Sequence, residues 1–227
     1  TPKNLSKNLS NLFSKHFQNR FIIEKKFYGD LDYKNIYKNC KVINVDKQTL
    51  NSLDVSIEIE KFQADISFIF GVDLILSPVI DRMPKDKINL HLGLSPWYRG
   101  SATLFWPFYN LQPQFVGSTF HQIINEPDAG DILHQTTPEL SKGKTMHEVC
   151  ADTVVQSAKD AVTLLRIILN NKDVELQRQK TSGKNWLIKD FEPHHLSLIY
   201  KLYKDKIVDE YLNGNLGNRK PKLIKAF

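Results

Sequence analysis

Asn89 and His91 stand two residues apart, and Asp128-Ala129-Gly130 begins 37 residues after His91. Between them runs Ser95-Pro96-Trp97-Tyr98-Arg99-Gly100, a loop-forming string. An amide, an imidazole and a carboxylate together suit transfer of a one-carbon acyl unit between two amines. The Asn89 amide can donate to the oxyanion that forms when an amine attacks a carbonyl. His91 can take up and return a proton near neutral pH. Asp128 can orient that imidazole and stabilise its charged form. If Asn89 and His91 share a strand, the period of two puts both side chains on one face.

The stretch Ile88-Asn-Leu-His-Leu-Gly-Leu-Ser-Pro-Trp-Tyr-Arg-Gly100 resembles the signature of the N10-formyltetrahydrofolate-dependent formyltransferases. That signature reads roughly Asn-x-His-x-Ser-x-x-Pro-x-x-x-Gly, with Asp-x-Gly further on. The matching positions are Asn89, His91, Pro96, Gly100, Asp128 and Gly130. The chain departs at Gly93, where the family carries Ser; Ser95 is a hydroxyl that could replace it. The similar region covers about residues 65–140. The resemblance implies N10-formyltetrahydrofolate as co-substrate and Asn89, His91 and Asp128 as catalytic residues. It places the folate pterin against Phe70, Gly71 and Val72 and the backbone of Ile124, Asn125, Glu126 and Pro127. Ser95, Trp97, Tyr98 and Arg99 become candidates for binding the substrate.

The same residues have plainer readings. Asn89 alone could cap a strand end, and His91 alone could be a satisfied core histidine. Asp128 lies in Glu126-Pro-Asp-Ala-Gly130, a turn-rich string in which Asp is common. Trp97 and Tyr98 could stack on a substrate base or pack the loop down. Arg99 could clamp a phosphate or form a structural ion pair. His121 reads as a supporting or pocket-wall residue. His91, His121, His134 and Asp128 lack any tight metal-binding spacing, so no metal is expected. Phe105, Trp106 and Phe108 read as helix core.

The elements that must position these groups follow from periodicity. Residues 5–18 read as an amphipathic helix, Phe21–Ile23 and Lys41–Val45 as short strands, and 27–39 as a surface excursion. Residues 50–62 read as a helix and Ile66–Phe70 as a buried strand ended by Gly71. A strand ends at His91, a helix follows over 101–110, and strands span Phe115–Ile123 and Asp131–Thr137. Thr145-x-x-Glu148 is a capping-box pattern. It opens a helix to about Asn170, with Val149, Val155, Ala158, Val162, Leu165 and Ile168 as its apolar positions.

These elements predict an α/β fold: a Rossmann-like, mostly parallel sheet over residues 1–172 and a small α+β appendage over 173–227. In such sheets ligands sit at the carboxyl ends of strands, where Gly71 and His91 fall. The helix-first opening predicts a further strand ahead of Thr1. At 227 residues, 41% hydrophobic and 25% charged, the chain can bury a real core. No apolar run approaches bilayer length. Cys40 and Cys150 form no disulfide framework, so a cytoplasmic location is the default.

The net charge of +6 gathers at the chain ends, at Lys3, Lys7, Lys15, Arg20, Lys25 and Lys26 and at Arg219, Lys220, Lys222 and Lys225. Solvated faces explain this simply; attraction of a phosphorylated substrate is the sharper reading. The expected acceptor is the amino group of a nucleotide-linked aminosugar. A tRNA or another small amine is the alternative acceptor. A module that binds folate or a partner without catalysis is the alternative of another class. Nucleic acid ranks second as a partner, and a homodimer stays open.

Overall fold

A computed structural model describes residues 6–29, 37–170, 173–179 and 183–227. Helix α1 (Lys7–Tyr28) starts at Ser6, whose hydroxyl accepts from the Leu9 N–H. It runs through Phe21–Ile23, so the strand expected there is absent. The apolar triplet is compatible with either state, and two helical features decide it. Arg20 and Glu24 pair at 2.7 Å across one turn, and Lys25 and Lys26 suit the negative end of the helix. Residues 41–46 form no strand either: Lys41–Val45 is exposed and has no ladder partner among the described residues. The expected excursion over 27–39 falls partly in α1, and its residues 30–36 lie outside the described residues.

Helix α2 (Leu53–Phe62), capped by Ser52, leads into β1 (Ile66–Phe70). A helical turn, α3 (Val79–Arg82), precedes β2 (Asp86–His91). After the loop come β3 (Tyr98–Gly100) and α4 (Trp106–Tyr109). The helix expected over 101–110 is confined to this last turn. Ala102 has a left-handed φ of 56°, and Pro107 sits near the start of α4, where a missing N–H is tolerated. Strands β4 (Ser118–Gln122) and β5 (Ile132–Thr136) follow, then α5 (Met146–Leu169), β6 (Lys184–Trp186) and α6 (Ile207–Leu212).

The main sheet has the order β1-β2-β4-β5. The β1–β2 pair is parallel, as expected, while β2–β4 and β4–β5 are antiparallel, so the described sheet is mixed. The short link through residues 123–131 makes β4 and β5 a hairpin, which can only be antiparallel. The fold is α/β, with α5 covering Ile88, Leu90, Phe120 and Leu133 of the sheet.

Helix α5 carries both halves of the capping box: Thr145 Oγ1 accepts from the Glu148 N–H, and Glu148 accepts from the Thr145 N–H at 3.0 Å. Its buried stripe is rotated from the expected one. Val162 is 50% exposed, whereas Val149, Thr153, Ser157, Asp160 and Leu164 face inward. The buried hydroxyls are satisfied: Thr153 donates to the Val149 carbonyl, and Ser157 meets both the Thr153 carbonyl and Ser118.

The C-terminal residues pack on the same body. Leu196, Ile199, Ile207 and Val208 join Phe105, Trp106, Phe115 and Val149 in one core cluster. Strand β6 pairs in parallel with β3, and the Trp186 indole stacks on Trp106 with centroids 3.9 Å apart and planes 12° off parallel. Gln135 donates its N–H to the Ile224 carbonyl, and the Ala226 N–H donates to His134 Nδ1.

Candidate active site

Strand β2 lies between β1 and β4 and sets Asn89 opposite His121 and His91 opposite Thr119. His91 is 7% exposed. Asp128 reaches the same face from the β4–β5 connection with a left-handed φ of 50°, a conformation that tolerates Asp better than most residues. That connection is tightly drawn: a Cβ on Gly130 would lie 1.8 Å from the Gln122 carbonyl oxygen. The Gln179 side-chain amide donates to the carbonyls of Asp128 and Gly130 and fixes the turn from outside.

Hydrogen bonds settle where the protons lie. His91 Nε2 is 2.9 Å from the Tyr98 carbonyl, which only accepts, so Nε2 carries the proton. His121 Nδ1 donates in the same way to the Gln122 carbonyl at 2.8 Å. His121 Nε2 is then a lone pair and accepts one N–H of Asn89 at 3.1 Å. This fixes the orientation of the Asn89 amide and leaves its second N–H to donate elsewhere.

Asp128 Oδ2 accepts the Gly100 N–H at 2.9 Å, and Oδ1 lies 3.4 Å from His91 Nδ1 and 3.5 Å from His121 Nε2. Burial works to raise the Asp128 carboxyl, but a proton on His121 or His91 and the Gly100 N–H outweigh it and hold it below the usual carboxylate range. Burial lowers the proton affinity of His91, and Asp128 only partly offsets this. Near neutral pH the centre is therefore a carboxylate facing a neutral imidazole through its bare nitrogen. It has room for one more proton, and that proton would bring an ion pair with it.

A cavity of about 550 Å³ opens onto this centre. Phe70, Gly71 and Val72 line it at the end of β1, as expected of strand carboxyl ends. Ile124–Pro127 are exposed and lie outside its lining, because the turn directs only Asp128 inward. The loop candidates also need correction. Ser95 is fully buried; its N–H donates to Thr119 Oγ1 and its carbonyl accepts from Gln135, so it holds the loop and does not line the cavity. Tyr98 is 4% exposed, its hydroxyl held by Gln112 and Asn110. Trp97 packs edge-on against Phe115. Arg99, like these three, is not among the cavity residues; Ser101–Phe105 line that wall instead.

The far end of the cavity is built by residues that the motif did not announce. His16 of α1 and His147 of α5 share the hydroxyl of Tyr200, at 2.8 and 3.0 Å. Burial, then the neighbouring His147 and Arg20, push His16 down to about 3; burial and Arg20 push His147 down to about 4. Both rings stay neutral. Three scattered residues of this kind leave no spacing signal in a sequence.

Residues 24–165 match the formyl transferase family model. Among curated proteins, the chain is 29% identical over 154 residues to the bifunctional polymyxin resistance protein ArnA of Wigglesworthia glossinidia brevipalpis, covering 67% of this chain and 23% of that protein. It is 32% identical over 111 residues to the methionyl-tRNA formyltransferase of Agathobacter rectalis, covering 48% and 36%. The chain thus spans about a quarter to a third of the length of these relatives. Among solved structures it resembles a 4-N formyltransferase from Francisella tularensis, with TM-score 0.56, 22% identity and 76% and 74% of the two chains covered. It also resembles the formyltransferase PseJ from Anoxybacillus kamchatkensis, solved with UDP-4,6-dideoxy-4-formamido-L-AltNAc and tetrahydrofolate, with TM-score 0.55, 22% identity and 73% and 81% covered.

Proposed function

The chain belongs to the formyl transferase family, and from that premise we propose that it moves a formyl group from N10-formyltetrahydrofolate to the amino group of a nucleotide-linked aminosugar. The observation that carries the chemistry is the bare Nδ1 of His91 facing the Asp128 carboxylate at 3.4 Å, with an Asn89 N–H left to donate. The folate would supply the activated formyl carbon. Phe70 and Val72 offer it exposed apolar surface, and Gly71, with no side chain and nothing within 4 Å of its missing Cβ, leaves room beside them.

In this reading the second N–H of Asn89 donates to the formyl oxygen as the substrate amine bonds to the carbon and the oxygen becomes negative. The proton released by the amine enters the gap between His91 Nδ1 and Asp128 Oδ1. There Asp128 stabilises the imidazolium without becoming the acceptor itself. The carbon–nitrogen bond to the folate then breaks, and His91 returns the proton to the departing nitrogen. Atoms and charges balance, and His91 ends as it began.

Two fold neighbours support the sugar as acceptor. PseJ was solved with a UDP-linked formamido sugar, and the N-formyltransferase from Helicobacter canadensis, with TM-score 0.55, with folinic acid and dTDP-3-aminofucose. The methionyl-tRNA formyltransferase relative favours a second reading, charged tRNA as the acceptor. The deciding experiment offers formyl donor with UDP- and dTDP-linked 3-amino and 4-amino sugars and, in parallel, methionyl-tRNA at low and moderate salt. We expect a formamido sugar by mass spectrometry. Formylation of the tRNA alone, falling steeply with salt as counterion release requires, would replace the sugar. No formyl transfer to any amine would leave a binding module instead.

A further inference from the structure

We infer that Thr103 is a positioning residue for this site: together with Gly93 it fixes which nitrogen of His91 carries the proton. The inference rests on the formyl-transfer reading for its activity measurement only.

The tautomer of His91 is a competition. Asp128 Oδ1 at 3.4 Å draws the proton to Nδ1, which would fill the vacancy the chemistry needs. The Tyr98 carbonyl at 2.9 Å holds it on Nε2. A neutral carbonyl wins against a carboxylate only if its geometry is enforced, since charged acceptors make the stronger bonds.

Enforcement comes from the turn after His91. A Cβ on residue 93 would lie 2.4 Å from His91 Nε2 and 2.5 Å from the Tyr98 oxygen, so any side chain there would stand between donor and acceptor. The third neighbour of that space is Thr103 Cβ, at 2.7 Å. Thr103 is 5% exposed and donates its hydroxyl to the Leu92 carbonyl, in the residue joining His91 to Gly93. From the opposite side, Thr119 Oγ1 donates to the Gly93 carbonyl at 2.7 Å and accepts the Ser95 N–H. Two hydroxyls therefore pin consecutive carbonyls of the turn. Of the two, only Thr103 also lines the cavity.

The test separates shape from hydrogen bonding. Thr103→Val keeps the shape and removes the donor; Thr103→Ser keeps the donor. In protein labelled with nitrogen-15 histidine, with His91→Gln used to assign its signals, the wild type should show His91 protonated at Nε2. Thr103→Val should raise the Nδ1–H population and lower turnover about tenfold, the scale of one hydrogen bond, with little change in KM. Thr103→Ser should restore both. Unchanged ring signals in Thr103→Val, or the same change in Thr103→Ser, overturn the inference. If Thr103→Val does not fold, Thr103→Ala must show the same tautomer change, and an unchanged ring there overturns it equally. The NMR readout needs no substrate, so failure of the formyl-transfer reading and failure of this one are distinguishable.

Discussion

At the scale of single residues, the centre is defined by what Asp128 faces. Asp128→Asn leaves an oxygen to accept the Gly100 N–H but removes the charge that stabilises the imidazolium. We expect turnover to fall by about 10²-fold or more with the fold intact, measured by steady-state kinetics beside circular dichroism. The pH profile should move as well. Activity requires neutral His91, so the rate rises with pH through its proton affinity, which burial already lowers and Asp128 partly restores. Without Asp128 the acidic limb should shift to lower pH. A limb that stays in place, or moves upward, would show that Asp128 does not act on His91. His121 completes the arrangement by accepting from Asn89. His121→Phe should cost activity through a released Asn89 amide, with substrate affinity less affected than turnover.

At the scale of elements, the hairpin and the long helix do the positioning. Gly130 packs against the Gln122 carbonyl, and Gly130→Ala would force the β4–β5 turn open and displace Asp128. Thr145→Ala removes one half of the α5 capping box. It should destabilise the protein by about 1 kcal/mol, roughly 2–4 °C in Tm, read by thermal unfolding. These elements also show what the sequence could reveal. β2, the hairpin and the capped start of α5 were legible, because each has a short-range signature in period, turn residues or cap; β1 was legible as a strand but not as a buried one, since Phe68 and Phe70 are 38% and 50% exposed and only Ile69 is buried. The face of α5 was not, because Thr153, Ser157 and Asp160 are buried while Val162 is exposed, and their hydrogen bonds run to β4, β5 and their own helix. A polar residue satisfied by a distant partner reads as surface in one dimension. Phe21–Ile23 and Lys41–Val45 failed as strands for the complementary reason: the pattern suits an extended chain, but the first continues α1 and the second meets no strand among the described residues. Asn89, His91 and Asp128 were legible as a set through the spacing that resembles the family. Ser95 and Tyr98 were misplaced, since a motif marks what is needed without saying whether a side chain or a backbone group meets the need.

At the scale of the whole molecule, the cavity joins distant parts of the chain: His16 and His147 line it, and the Tyr200 hydroxyl bridges them from behind. Below pH 6.5 the unfolded chain takes up protons on both histidines that the folded protein refuses until about pH 4 and about pH 3. Stability from this cluster is therefore present at neutral pH and falls as the pH drops through that window. Asp205, pushed up to about 6 by burial, acts in the opposite sense. The comparison of variants isolates the histidines: His16→Gln should flatten the pH dependence of unfolding between pH 6.5 and 5 by on the order of 1–2 kcal/mol. An unchanged slope in denaturant titrations would exclude the cluster as its source. Among the described residues no helix is long and apolar enough to cross a membrane. The C-terminal segment is fastened to the same body through β6, where Trp186 lies flat on Trp106. Two indoles at that separation couple electronically. Their coupled transitions should give a paired positive and negative band in circular dichroism, and Trp97, set edge-on against Phe115, should contribute none of it. Trp186→Phe should erase the couplet and leave the helical signal. The protein thus carries its own spectroscopic gauge of whether the segment following α5 is seated beside the loop that walls its cavity.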